Sequence, residues 1–125
     1  MRCRFAQWTL DLDNYCLLHA GEPLAVRPKT FKLLCYFALN PQRLITREEI
    51  FEKIWPNRCV SDESLTTCVK ELRQILGDSG KIRKFIITRH KLGYQFIQPV
   101  VFENTQKTFG QFNDRSQYVY ERKIV

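Results

Sequence analysis

Residues 60–94, VSDESLTTCVKELRQILGDSGKIRKFIITRHKLGY, gather the side chains of this chain best suited to holding a polyanion. Stepped at 100° per residue, Leu65, Val69, Leu72 and Leu76 fall on one side of a helix. Glu63, Thr67, Lys70 and Gln74 then occupy the other side, flanked by Thr66, Glu71 and Arg73. Hydroxyl and amide groups there can exchange hydrogen bonds with base edges or phosphates, while Lys70 and Arg73 offer positive charge. Downstream, Thr88, Arg89, His90 and Lys91 lie where two short strands would meet. Between Lys81 and Lys91 there are five Lys or Arg residues and no carboxylate. Solvated surface charge is the plain alternative for any one of them. Glu71 is the odd member, since a carboxylate repels phosphates. It could accept from a cytosine amino group, or hold Arg73 or Lys70 in place, and the second is the favoured expectation.

Catalytic chemistry is harder to find. Gly77-Asp78-Ser79-Gly80 spells GDSG, a string found around serine-protease nucleophiles, but such enzymes need two β-barrels and a separate His and Asp. After a helix it reads as a C-cap and turn. No glycine-rich phosphate loop or zinc-ligand spacing is present, so neither an enzyme nor a metal or cofactor is expected. The five cysteines, Cys3, Cys16, Cys35, Cys59 and Cys68, form an odd set without a C-x-x-C pair. They read as reduced thiols, with redox sensing the minor alternative. His19 stands alone and receives no role.

Composition sets the frame. A chain of 125 residues with 44% hydrophobic content has room for one folded domain and a tail. A net charge of +7 raises the odds of a polyanionic partner. No apolar run is long enough to cross a bilayer, and MRCRFAQWTLDLD lacks the apolar stretch of a signal peptide. A cytoplasmic protein is expected.

Positioning elements can be read along the chain. Alternation predicts strands over 5–12, 15–19 and 24–26, an antiparallel meander. Pro28 suits a first helical turn, and Phe31, Leu34, Cys35, Ala38 and Leu39 continue at helical spacing to Asn40-Pro41. Leu44-Ile45 is a brief strand. Thr46-Arg47-Glu48-Glu49 has the form of a capping box for a second helix that stops by Pro56. Ser61 or Asp62 can cap the third helix, 62–76, with Gly77 as its left-handed C-cap. Strands over 85–89 and 94–97 close the pattern, with Gly93 permitting a tight return. The expected class is α+β: a winged helix-turn-helix with an N-terminal antiparallel sheet, three helices and a C-terminal β-hairpin wing. Residues 1–101 form the expected domain and 102–125 a tail, in which SQYVYERKIV could be one more strand.

The segments RPKTFKLLCYFALNP, LITREEIFEKIW, VSDESLTTCVKELRQILGD and TRHKLGYQF, in that order, resemble the OmpR/PhoB family of bacterial winged-helix transcription factors. The S-L-T-x-C-x-x-x-L-R-x-x-L run and the K-x-G-Y wing are most similar to its one-component CadC/ToxR/HilA branch. The resemblance implies sequence-specific binding of double-stranded DNA by a transcriptional regulator. Helix 62–76 would read the major groove and wing 85–97 the adjacent minor groove. Thr66, Thr67, Lys70, Glu71, Arg73 and Gln74, with Thr88, Arg89, His90 and Lys91 on the wing, are the residues it singles out. Partners it brings are RNA polymerase and a second copy on a dimeric or tandem site. Glu71 and His90 replace arginines common in the family, so base preference does not transfer. The chain shows neither a receiver domain nor a membrane helix, which reads as an excised domain or a natural short form. A winged helix that contacts another protein is the alternative; it would favour apolar anchors on the helix face.

Overall fold

Short alternating stretches between turn residues give the first 24 positions four strands where three are expected. In the computed structural model, which describes residues 1–56, 61–78 and 80–103, these are β1 (Arg2–Phe5), β2 (Trp8–Asp11), β3 (Cys16–His19) and β4 (Glu22–Leu24). The stretch expected as one strand, 5–12, is a hairpin bend in which Phe5 pairs with Trp8. Ala6 takes the left-handed conformation, φ 51°. FAQW contains none of the usual turn residues, so its alternation hides the bend. Asp13-Asn14 does mark a turn: the Asp11 carboxylate accepts from both backbone N–H groups and from Asn14 Nδ2. Those bonds, led by the Asn14 side chain, hold Asp11 below the usual carboxylate pKa.

A further strand, β8 (Val101–Glu103), pairs antiparallel with β1, giving the order β4-β3-β2-β1-β8. It crosses the expected boundary at 101/102. Cys3, Phe5, Trp8, Leu10 and Leu17 are buried, and Cys3 has its thiol pushed up to about 11 by burial. His19 stacks on Trp8 with ring centroids 4.2 Å apart. The rest of the expected tail, 104–125, including SQYVYERKIV, lies outside the described residues, as do Cys59 and Ser79.

Residues 26–99 form a second unit with three helices. Helix α1 (Pro28–Leu39) opens on Pro28, whose missing N–H costs nothing there. Strand β5 (Leu44–Thr46) leads into α2 (Arg47–Ile54). Only half of the expected capping box forms. Thr46 Oγ1 accepts from Glu49 N at 3.1 Å, but the Glu49 carboxylate turns to Arg43 (2.7 Å) and the Tyr36 hydroxyl. A cation and a phenol together outcompete one neutral N–H, and Arg43 first, then Tyr36, draws the Glu49 pKa down. Helix α3 (Asp62–Leu76) starts after Ser61, which makes no side-chain capping bond. It ends at Gly77 in the left-handed conformation, φ 74°.

Strands β6 (Ile86–Arg89) and β7 (Gly93–Phe96) build the hairpin, and β5 adds to give the order β5-β7-β6. Gly93 does not make the turn; Lys91 does, at φ 64°. A Cβ on Gly93 would lie 2.0 Å from the Ile45 carbonyl oxygen, so glycine is required because β5 passes so close. Leu34, Phe37, Ile50, Leu65, Leu72 and Phe96 are fully buried. The winged helix of α+β class is therefore as expected. No helix among the described residues is long and apolar enough to cross a membrane.

The join between α3 and β6 depends on Asp78. Its carboxylate, 1% exposed, accepts from the backbone N–H groups of Lys84 (2.6 Å), Phe85 (3.2 Å) and Ile86 (3.0 Å). Replacing Asp78 with Ala leaves these donors without an acceptor. Stability in urea denaturation is expected to fall by about 3 kcal/mol. A loss below about 0.5 kcal/mol would show that the loop holds itself without the carboxylate.

Candidate nucleic-acid interface

Helix α3 buries Leu65, Cys68, Val69, Leu72 and Leu76 and turns Thr66, Thr67, Lys70 and Gln74 to solvent. Its apolar stripe is wide enough to fix which side faces out. The two flanks of the outer side are tied down. On one flank, Arg73 Nη2 donates to the Ile86 carbonyl (3.0 Å) and to Thr88 Oγ1 (2.8 Å), both on β6. Burial, reinforced by Arg83, lowers the pKa of Arg73.

On the other flank, Glu71 accepts from Thr30 Oγ1 at 2.7 Å and pairs with Arg27 at 3.2 Å. The expectation that Glu71 holds Arg73 or Lys70 is therefore corrected: its partners come from α1 and the residue before it. Residues 71 and 73 sit about 160° apart around the helix axis, too far to meet. Thr66 back-bonds to the Asp62 carbonyl at 3.0 Å. The remaining exposed outer side is then Glu63, Thr67, Lys70 and Gln74.

The hairpin supplies a second set. Thr88 is engaged by Arg73, and Arg89 Nε donates to Gln95 Oε1 at 2.8 Å. His90 and Lys91 are exposed at the turn. Between hairpin and helix runs an open groove of about 510 Å³, lined by Lys70, Arg73, Gln74, Arg83, Thr88 and Tyr94. Thr66, Lys70, Arg73 and Gln74 of the helix and Thr88 of the wing thus meet at one groove, while Glu71 faces α1, Thr67 lines a different groove, and Arg89, His90 and Lys91 lie outside the lining. Sequence reasoning missed Asp78, Thr30 and Arg27. An Asp just after a helix C-cap glycine is a fair signal for the first; Thr30 and Arg27 carry none, since their partner lies in another helix. No group of side chains suited to a metal occurs among the described residues.

The family model described as "Transcriptional regulatory protein, C terminal" matches residues 21–96. The chain is 31% identical over 93 residues to the uncharacterized transcriptional regulatory protein YcbL of Bacillus subtilis, covering 74% of this chain and 41% of that protein. It is 25% identical over 105 residues to the transcriptional activator CadC of Escherichia coli, covering 83% of this chain and 20% of CadC. The chain thus spans less than half the length of both relatives. Among solved structures, the DNA-binding domain of E. coli CadC superimposes with a TM-score of 0.72 at 25% identity, over 82% of this chain and 96% of that one. The RstA DNA-binding domain of Klebsiella pneumoniae, in complex with the RstA box, gives 0.69 at 22% identity, over 77% and 96%.

Arg73 joins helix to hairpin, so Arg73→Ala is expected to loosen β6 more than α3. Amide exchange protection at Ile87 and Arg89, whose N–H groups face β7, should drop by the equivalent of about 1–2 kcal/mol, with α3 little changed. Equal protection in both proteins would mean that backbone pairing alone holds the hairpin.

Proposed function

The chain belongs to the transcriptional regulatory protein C-terminal family, of OmpR/PhoB type, and from that premise we propose that it binds double-stranded DNA sequence-specifically as a bacterial transcriptional regulator. One observation carries the reading: Lys70 and Gln74 on the exposed side of α3 and Thr88 on the hairpin line the same open groove, with the basic turn His90-Lys91 exposed beyond Thr88 on that hairpin. B-DNA's major groove admits one helix, so a reader helix needs a polar outer side on a buried apolar one. Helix 62–76 enters the major groove, and wing 85–97 reaches the adjacent minor groove.

Roles follow from the geometry. Thr67, Lys70 and Gln74 face base edges. Thr66 lies at the rim, its hydroxyl proton already given to Asp62. Arg73 and Thr88 form one hydrogen-bonded unit on the wall of the groove, placed to meet a phosphate. Arg89, His90 and Lys91 address phosphates or the minor groove, whose narrow A·T stretches attract cations. Glu71 is a positioning residue. The DNA-binding unit is residues 1–101, extended to Glu103 by β8, and residues 102–125 begin the tail within that strand. The chain acts in the cytoplasm, without catalysis or cofactor; RNA polymerase and a second copy on a dimeric or tandem site are its further partners.

Selection from a randomised duplex pool, followed by anisotropy at two salt concentrations, tests the reading. An enriched motif whose affinity falls steeply with salt supports it. Absence of duplex binding at low salt would replace it with a protein-contact role for the same helix. Removing Arg89 and Lys91 together is expected to weaken binding to every duplex and to flatten the log–log salt slope by roughly 2, near 0.9 per lost phosphate contact. An unaltered slope would take the tip off the backbone. Lys70→Ala or Gln74→Ala should instead change which motif is selected, by about 1–3 kcal/mol per specific contact. If the selected motif stays the same, those side chains do not read bases.

A further inference from the structure

Arg27 precedes α1 and was singled out by no feature of the sequence. Its side chain is 74% exposed, yet it is not free-swinging: its Nη1 lies 3.2 Å from Glu71 Oε2. Glu71 is itself fixed by the hydroxyl of Thr30, a residue only 1% exposed. Arg27 therefore stands in an ion pair beside the outer side of α3, on the flank away from the wing. A second open groove, about 420 Å³, lies there, lined by Arg27, Ser61, Glu63, Ser64 and Thr67 among others. Thr67 belongs to both the proposed reading surface and this groove.

We propose that Arg27 is a phosphate contact for the duplex, on the flank of α3 opposite the wing, held in position by Glu71. The inference rests on the DNA-binding reading above. Three physical points carry it. A carboxylate bordering a DNA-facing surface repels phosphates unless paired, and Arg27 neutralises Glu71. A guanidinium has five N–H donors, so one bond to Glu71 leaves others to aim outward. With Arg73 and the wing on one flank, a helix in the major groove meets phosphates on its other flank as well, since the two backbones bound the groove. Two cations among the described residues line the second open groove, Arg27 and Lys29; the Lys29 ammonium donates to the Ile54 carbonyl, whereas the Arg27 side chain is 74% exposed.

The full chain and a duplex selected from the randomised pool serve as the test. Arg27→Ala is expected to weaken binding several-fold and to reduce the salt slope by about 0.9, with the selected motif unchanged. Arg27→Gln, which keeps a long side chain, should match it, and thermal melting should show both variants folded. A loss, smaller because the anchor is gone, must persist when Arg27→Ala is made in a Glu71→Gln background. If affinity there returns to that of Glu71→Gln alone, Arg27 merely masks a carboxylate and the contact is wrong. An unchanged slope in Arg27→Ala or Arg27→Gln also overturns it. Duplexes carrying a single methylphosphonate locate the contact: one position on the side away from the wing should weaken the native chain and leave Arg27→Ala indifferent. Should the native chain bind no duplex at all, the DNA-binding reading falls and this inference with it. Binding by the native chain with no effect of Arg27 sinks the inference alone.

Discussion

The spatial relation between reader helix and wing depends on one buried carboxylate. Asp78 follows the left-handed Gly77 and receives three successive backbone N–H groups from Lys84, Phe85 and Ile86. The irregular stretch between α3 and β6 could not leave these donors unpaired inside the fold without a cost of about 1–3 kcal/mol each. Water could satisfy them only by opening the loop. A buried carboxylate with its lone pairs filled by N–H groups removes that choice, so the start of β6 is tied to the residue two beyond the end of α3. Arg83 adds a bond from its guanidinium to the Asp78 carbonyl. Arg73 then ties the middle of β6 back to the helix, at Ile86 and Thr88. The span between the two proposed DNA-contacting elements is thus fixed by polar groups, while the apolar core fixes only which side of α3 faces out.

Ties of this kind divide the proposed contact surface into two classes. Arg27, Glu71, Arg73 and Arg89 each have a partner within the fold. His90 and Lys91 lie exposed on the turn, and Lys70 and Gln74 on open helix surface. A long side chain ordered only on binding loses about 0.5–1.5 kcal/mol of rotamer freedom, and one already ordered does not. Pinned residues therefore suit contacts that fix register. Free cations suit the long-range attraction that brings a polyanion close, which depends on charge and little on geometry.

Much of this was legible in the sequence, and what was missed has physical reasons. Helical periods and caps place α1, α2 and α3 within a residue or two, because burying one side of a helix imposes a 3.6-residue pattern. The bend at Ala6-Gln7 was hidden because no turn-forming residue marks it. Strand β8 has three residues, too few for a period to show, and pairs with a strand nearly a hundred positions earlier. Gly93 was read as a turn residue when Lys91 takes the left-handed conformation. Local sequence cannot reveal that the β5 backbone passes within 2.0 Å of where a Cβ would stand. The candidate contacts were found as residue types on a face; their pairing was not, since Glu71 meets Thr30 across 41 positions.

Glu71 shows why residue type alone misleads on such a surface. Taken from sequence, a carboxylate at that position either accepts from a cytosine amino group or holds Arg73 or Lys70 in place. In the fold its two oxygens face Thr30 and Arg27 instead of Arg73 or Lys70. A neutral residue would leave Arg27 without an anchor, and a cation would meet Arg27 with like charge. The carboxylate is the one charge type that allows a guanidinium to stand at the helix flank in a fixed place. The acidic residue thus serves a basic surface by determining where its positive charge is presented.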